Sequence, residues 1–163
     1  MKYFEHESAA TFDEAVSLLK ESPKGKTVVM AGGSDLIGVL KEQILEDYPE
    51  KVVDLKTVRG GEYIKQDGDT IEIGALTKLC DIVKSDLLNE KAPVLSQAAR
   101  SVATPLIRNV ATMGGNICQD VRCWFYRYPH GIGGRMDCMR KGGKECYAVM
   151  GDNRYHSIFG GMK

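Results

Sequence analysis

Four cysteines crowd into the last third of the chain, Cys118, Cys123, Cys138 and Cys146, while Cys80 stands apart. The last three of the group are spaced C-x14-C-x7-C. In an exported chain such a set would read as a disulfide framework. The opening residues, Met1-Lys2-Tyr3-Phe4-Glu5-His6-Glu7, carry acids early and lack the apolar stretch of a signal peptide. A cytoplasmic chain keeps its thiols reduced, so metal ligation is the expected chemistry. No C-x2-C pair of the common zinc type is present. For Cys118 the plain alternative is packing as a small buried apolar residue.

A second chemistry is written in two glycine pairs. One follows an apolar run, Val29-Met30-Ala31-Gly32-Gly33-Ser34-Asp35-Leu36, and the other is Ala111-Thr112-Met113-Gly114-Gly115-Asn116. Two residues without side chains let backbone approach a ligand, and their N–H groups can face an anion. Ser34, Thr112 and Asn116 add side-chain donors, and a helix starting near Asp35 adds its positive end. Two such turns point to a phosphate or pyrophosphate; singly, each is also what an ordinary left-handed turn looks like. Common nucleotide motifs do not fit. Gly33 and Gly38 have P-loop spacing, but Val39-Leu40 stand where Lys and Ser/Thr are required. The first pair is not G-x-G-x-x-G either, and Asp54 reads as a strand-end residue rather than a ribose ligand.

The elements that position these residues are legible in outline. Thr11-Phe12-Asp13-Glu14 fits a capping box opening a helix that ends near Ser22-Pro23. Thr27 to Ala31 and Lys51 to Leu55 read as buried strands, separated by a helical pattern at Leu36, Ile37, Leu40 and Ile44. Glu62 to Gln66 and Thr70 to Gly74 flank Asp67-Gly68-Asp69 as a hairpin. Thr77 is placed as the cap of a helix through Lys84, and a further helix is expected near Val94 to Val102. Ala111-Thr112-Met113 then reads as a strand entering the second glycine turn. These features predict an α+β fold in two lobes: residues 1–55, a small α/β lobe, and 56–163, a second lobe carrying a cysteine insertion at about 118–155.

Composition narrows the function classes. The 163 residues are 43% hydrophobic and 27% charged, ordinary for one globular domain or two small lobes. Lys+Arg and Asp+Glu are equal at 22 each, which argues against a nucleic-acid partner. No window approaches the ~18 apolar residues of a membrane span. Trp124, Phe125, Tyr126 and Tyr128 read as core or as a shield for a metal site, and His130 and His156 as loop hydrogen-bonding groups. Arg135, Arg140, Lys141 and Lys144 are expected to offset thiolate charge. No acid–base dyad is apparent, so no catalytic side chain is assigned.

Three stretches in fixed order, Val29 to Leu36, Ile73-Gly74-Ala75-Leu76-Thr77 and Ile107 to Asn116, resemble the FAD-binding medium subunit of the xanthine dehydrogenase and carbon monoxide dehydrogenase family of molybdenum hydroxylases. The cysteine segment is similar to an insertion in one branch of that family, which includes 4-hydroxybenzoyl-CoA reductase and aldehyde oxidoreductase FAD subunits. The resemblance implies a two-lobed FAD-binding fold of the vanillyl-alcohol oxidase and p-cresol methylhydroxylase type, without the family's C-terminal domain. It implies that FAD is held by Val29, Met30, Ala31, Gly32, Gly33, Ser34, Asp35 and Leu36 in the first grip. Thr112, Gly114, Gly115 and Asn116 form the second, with Thr77, Ala103 and Arg108 toward the flavin. It further implies a [4Fe–4S] cluster on Cys123, Cys138 and Cys146, with Cys118 as the candidate fourth ligand.

The implied role is electron transfer in an oxidoreductase complex, with the flavin passing electrons between iron–sulfur clusters and an external acceptor. The implied partners are a large subunit holding molybdopterin and a small subunit holding [2Fe–2S] clusters. Because family members continue past the stretch matched here, the resemblance implies a split subunit completed by a separate chain, a fragment, or a site that binds FAD weakly. The alternative is an iron–sulfur or zinc module of such a complex that carries no flavin.

Overall fold

Thr11 adopts an extended backbone and its hydroxyl accepts from the Glu14 amide at 3.1 Å, while the Glu14 carboxylate accepts from the Ala10 amide at 2.6 Å. This reciprocal cap satisfies two of the donors that a helix start leaves open. The computed structural model describes residues 1–45, 47–128, 136–154 and 156. His130 and Arg135 lie outside the described residues, as does the Phe159-Gly160-Gly161 stretch.

In chain order the elements are β1 (Glu5–Ser8), α1 (Phe12–Glu21), β2 (Thr27–Met30), α2 (Leu36–Lys41), β3 (Lys51–Asp54), β4 (Ile64–Asp67) and β5 (Thr70–Ile73). There follow α3 (Leu79–Lys84), α4 (Asp86–Lys91), α5 (Pro93–Ser101), α6 (Pro105–Arg108), α7 (Met113–Ile117), α8 (Trp124–Arg127), a 3-10 turn at Met139–Lys141, and α9 (Tyr147–Met150). Strands β1, β3 and β2 form a parallel sheet in that order, with Glu5 and Thr27 both registered on Lys51. Strands β4 and β5 form the expected hairpin, turning through Gly68 at φ 55° and Asp69 between the paired Asp67 and Thr70.

By contacts the chain groups into two units, one of Phe4–Ser34 and Pro49–Gln119, the other of the described residues of Met1–Tyr3, Asp35–Tyr48 and Asp120–Lys163. These boundaries differ from lobes at 1–55 and 56–163. The physical reason is a small core in which Val39 and Ile44 are buried with Tyr126 and Cys138, which draws α2 to the C-terminal segment. The larger unit has two cores. Ala9, Ala15, Val53, Val58 and Leu76 make one; Leu79, Ile82, Leu88, Ala99 and Ala111 make the other. Each fully buried Leu, Ile or Val contributes about 1.5–3 kcal/mol of transfer free energy.

Two local readings are corrected. Thr77 does not cap α3, whose N-cap is Lys78; its buried hydroxyl instead accepts from Tyr63 N at 3.0 Å and donates to Tyr63 O at 2.9 Å. Ala111-Thr112-Met113 is not a strand. Thr112 makes one antiparallel bridge to Lys78 and then caps α7, its Oγ1 accepting from Gly115 N at 3.2 Å. A hydroxyl two or three residues before open amides favours a helix start over a ladder.

Candidate functional site

The first glycine turn leaves β2 and enters α2. Gly32 is required by packing within its own unit: a Cβ there would lie 2.0 Å from Val110 O and 2.7 Å from Val110 C. Gly33 takes φ 71°, the left-handed region that a side chain disfavours. Among the described residues the amides of Gly32, Gly33 and Ser34 donate to no protein acceptor, and the exposed Ser34 hydroxyl has no partner. Consecutive open amides on a strand-to-helix turn are suited to an anion such as a pyrophosphate. Val29 is exposed, Met30 and Ala31 are half-buried, and Ala31 also packs on the first core.

The second glycine pair is built differently. It sits inside α7, and its amides are used by the protein: Met113 N donates to Thr77 O, Gly114 N to Ala75 O, and Asn116 N to Thr112 O, at 2.8, 2.8 and 2.9 Å. A Cβ on Gly114 would meet Ala75 O at 2.9 Å, so that glycine serves a backbone approach between Ala75 and α7. The two pairs are therefore not equivalent donors. Near the second pair, open groups are side-chain ones, notably the half-buried Asn116 amide, which has no hydrogen-bond partner among the described residues. Thr77 and Thr112 are both buried in this unit, and an isolated bridge pairs Lys78 with Thr112.

Ala103 takes φ 44°, unusual for a residue with a Cβ. Arg108 Nη1 donates to Val102 O at 2.7 Å and to Ala103 O at 3.3 Å, so this guanidinium closes the end of α5 rather than pairing with a carboxylate.

Asp35 stands at the N-cap of α2, yet its side chain makes no cap bond. Both carboxylate oxygens are taken: Oδ1 by Arg122 Nη1 at 2.9 Å and Oδ2 by Arg127 Nη2 at 2.8 Å. Sequence reasoning missed these arginines, which lie 87 and 92 positions away with no local signal pointing to Asp35.

Cys123, Cys138 and Cys146 fall in one unit, and Cys118, exposed at the end of α7, falls in the other. Cys123 and Cys138 pack against the same small core. Cys123 Sγ also lies 3.1 Å from His156 Nε2, whose ring stacks on Phe125 at 6.2 Å. Among the described residues, His156 Nδ1 and Arg140 Nη2 are buried without hydrogen-bond partners. Lys141 is buried, donating to Tyr128 O at 2.8 Å with its ammonium over the Tyr126 ring at 5.8 Å. The donor types suit a metal centre. Among the described residues no three His, Cys, Asp or Glu side chains converge to hold an ion.

Tyr126 is buried and donates to Asp120 Oδ2 at 2.6 Å; burial, and then that carboxylate, push its hydroxyl well above the ordinary phenol range. Desolvation, and then the neighbouring Asp81 carboxylate, raise the Cys80 thiol above its usual value. Among the described residues no helix is long and apolar enough to cross a membrane.

Comparison with known proteins gives these observations a setting. Nicotinate dehydrogenase FAD-subunit of Eubacterium barkeri is 34% identical over 117 residues, covering 72% of this chain and 39% of that protein. Aldehyde oxidoreductase FAD-binding subunit PaoB of Escherichia coli K12 is 29% identical over 161 residues, covering 98% of this chain and 48% of that protein. A solved carbon monoxide dehydrogenase from Hydrogenophaga pseudoflava, which lacks the Mo-pyranopterin moiety of its molybdenum cofactor, superposes with a TM-score of 0.67 at 31% identity. It matches over 71% of this chain and 39% of that chain. The chain thus spans less than half the length of each of these relatives. Residues 2–123 match the family described as the FAD binding domain in molybdopterin dehydrogenase, and with three quarters of its length inside that match the chain belongs to this family.

Proposed function

We propose that the chain is the FAD-binding, electron-transferring subunit of a cytoplasmic molybdopterin-dependent hydroxylase or dehydrogenase. Its fold on this reading is that of the vanillyl-alcohol oxidase and p-cresol methylhydroxylase type. The carrying observation is the open run of amides at Gly32, Gly33 and Ser34 on the turn from β2 into α2. These amides and the Ser34 hydroxyl would hold the FAD pyrophosphate, with Val29 to Leu36 as the first grip. Asn116, with Thr112, Gly114 and Gly115, would form the second, and Thr77, Ala103 and Arg108 the surface toward the ring. The bound flavin supplies two-electron redox chemistry with one-electron steps; the protein binds, orients and screens it. Family membership supports the assignment, as do the three family stretches in order. The partners on this reading are a molybdopterin-binding large subunit and a small [2Fe–2S] subunit.

The [4Fe–4S] centre on Cys123, Cys138 and Cys146, with Cys118, is a second part of the proposal. It is supported by the similarity to PaoB, which runs through the cysteine segment, and by His156, whose Nε2 lies 3.1 Å from Cys123 Sγ. No electron path is assigned through it.

An anaerobic absorbance spectrum of the chain alone and of its native complex, with iron and zinc counts, tests both parts. Flavin bands support the first part, and flavin in the complex alone puts the rest of the site on a neighbouring chain. Iron with a dithionite-bleachable shoulder supports the second. Iron without flavin in either sample favours the structural module, and zinc with neither chromophore overturns the redox reading.

A further inference from the structure

Arg127 is tied to Asp35, the residue that follows the first glycine turn. Its Nη2 donates to Asp35 Oδ2 and to Asp120 O, each at 2.8 Å, and its Nε donates to Val121 O at 2.7 Å. Its own amide donates to Cys123 O at 2.8 Å, and its side chain is 20% exposed against 17% for Asp35. A guanidinium that makes three directed bonds through Nε and Nη2, with little water around it, is a rigid fork, which a lysine's single ammonium cannot reproduce. Arg122 reaches the other Asp35 oxygen but is 68% exposed, so its bond is largely screened.

Without these partners an aspartate at an N-cap turns back to accept from its own helix amides. Here both oxygens face away, and Asp35 meets α2 through its backbone carbonyl, which accepts from Val39 N at 3.1 Å. Arg127 also lies past residue 123, where the family match ends.

We infer that Arg127 is a positioning residue for the flavin site: it fixes the rotamer of Asp35, and so the backbone that enters α2. Through it the Asp120–Arg127 segment governs how Asp35 and Leu36, the α2 end of the first grip, are held. This inference rests on the assignment of the Gly32–Leu36 turn to FAD.

The test uses the whole 163-residue chain, FAD as the probe, and two readouts. In proton–nitrogen correlation spectra of the flavin-free chain, Arg127→Lys should displace the amide signals of Asp35, Leu36 and Ile37, while Arg122→Ala leaves them near their original positions. In titrations followed by flavin fluorescence, Arg127→Lys should raise the FAD Kd about tenfold, equal to about 1.4 kcal/mol, and Arg122→Ala by less than about twofold. Adding Asp35→Asn to Arg127→Lys should cause little further loss, because both changes remove one interaction. Unmoved amide signals, or FAD affinity unchanged by Arg127→Lys, overturn the inference. Displaced signals in a chain that binds no FAD, alone or in its complex, leave the contact standing and overturn the flavin assignment instead.

Discussion

Gly32 and Gly38 stand six residues apart at the same turn and helix, and replacing each by alanine should move stability in opposite directions. A Cβ at Gly32 would sit 2.0 Å from Val110 O, 2.7 Å from Val110 C and 3.0 Å from Ala111 Cα. All three are backbone atoms, so no side-chain rotation relieves the overlap. Ordinary contact needs more than ~3.4 Å, so β2's exit and the Val110 peptide must separate by over an ångström, which costs at least the ~1–3 kcal/mol of overpacking. We expect about 3 kcal/mol lost, a fall of roughly 6–12 °C in Tm for a chain of this size. At Gly38, inside α2, a Cβ meets nothing within 4 Å and φ is not in the left-handed range. Gly38→Ala should therefore gain about 0.5–1 kcal/mol from helix propensity and a less flexible unfolded chain. Urea unfolding of the three proteins under identical conditions checks both signs. A Gly32→Ala chain as stable as the parent would refute the packing account of that glycine, and loss of stability in Gly38→Ala would refute the open-space account of the other.

Three further outcomes are expected. Thr77→Val keeps the shape but leaves Tyr63 N–H and C=O without the hydroxyl they now share, at a cost of about 1–3 kcal/mol in urea denaturation. The raised Tyr126 hydroxyl gives stability that is fully present below pH 10 and lost as pH climbs further, because the unfolded phenol ionises first; Tyr126→Phe should flatten that alkaline decline, compared at pH 9 and 11. Thr11→Ala removes the cap on α1 and should cost about 0.5–2 kcal/mol, visible as a lower Tm.

Where sequence signals are local, the chain is readable. The Thr11–Glu14 box, the Gly68 hairpin turn and the two apolar strands, β2 and β3, depend on neighbours within a few residues, and each forms, although β2 is only partly buried, with Val29 exposed. Strand β1, Glu5-His6-Glu7-Ser8, shows no apolar alternation; it exists because β3 offers it a ladder, with Lys51 bonding Glu7 at 2.7 Å. The second glycine pair misleads for a subtler reason. A run of Ala-Thr-Met before glycine has strand-like composition, but the Thr112 hydroxyl makes it a helix start. In the site, glycine positions are visible in sequence, whereas their causes are not. That Gly32 faces Val110, or that Asp35 is held by Arg122 and Arg127, depends on contacts across many tens of residues.

The parallel sheet also has a temporal consequence. Strand β3 lies in the middle, and among the described residues β1 and β2 pair with it alone, so Glu5 waits for Lys51 and so does Thr27. On a ribosome, nothing in this sheet can zip until residue 54 has left the exit tunnel, and closing those long loops is slow. The β4–β5 hairpin, joined across two residues, forms on its own within roughly 1–10 μs. Nascent chains released before β3 would carry two unpaired strands with open edges, substrates for chaperones rather than folding intermediates.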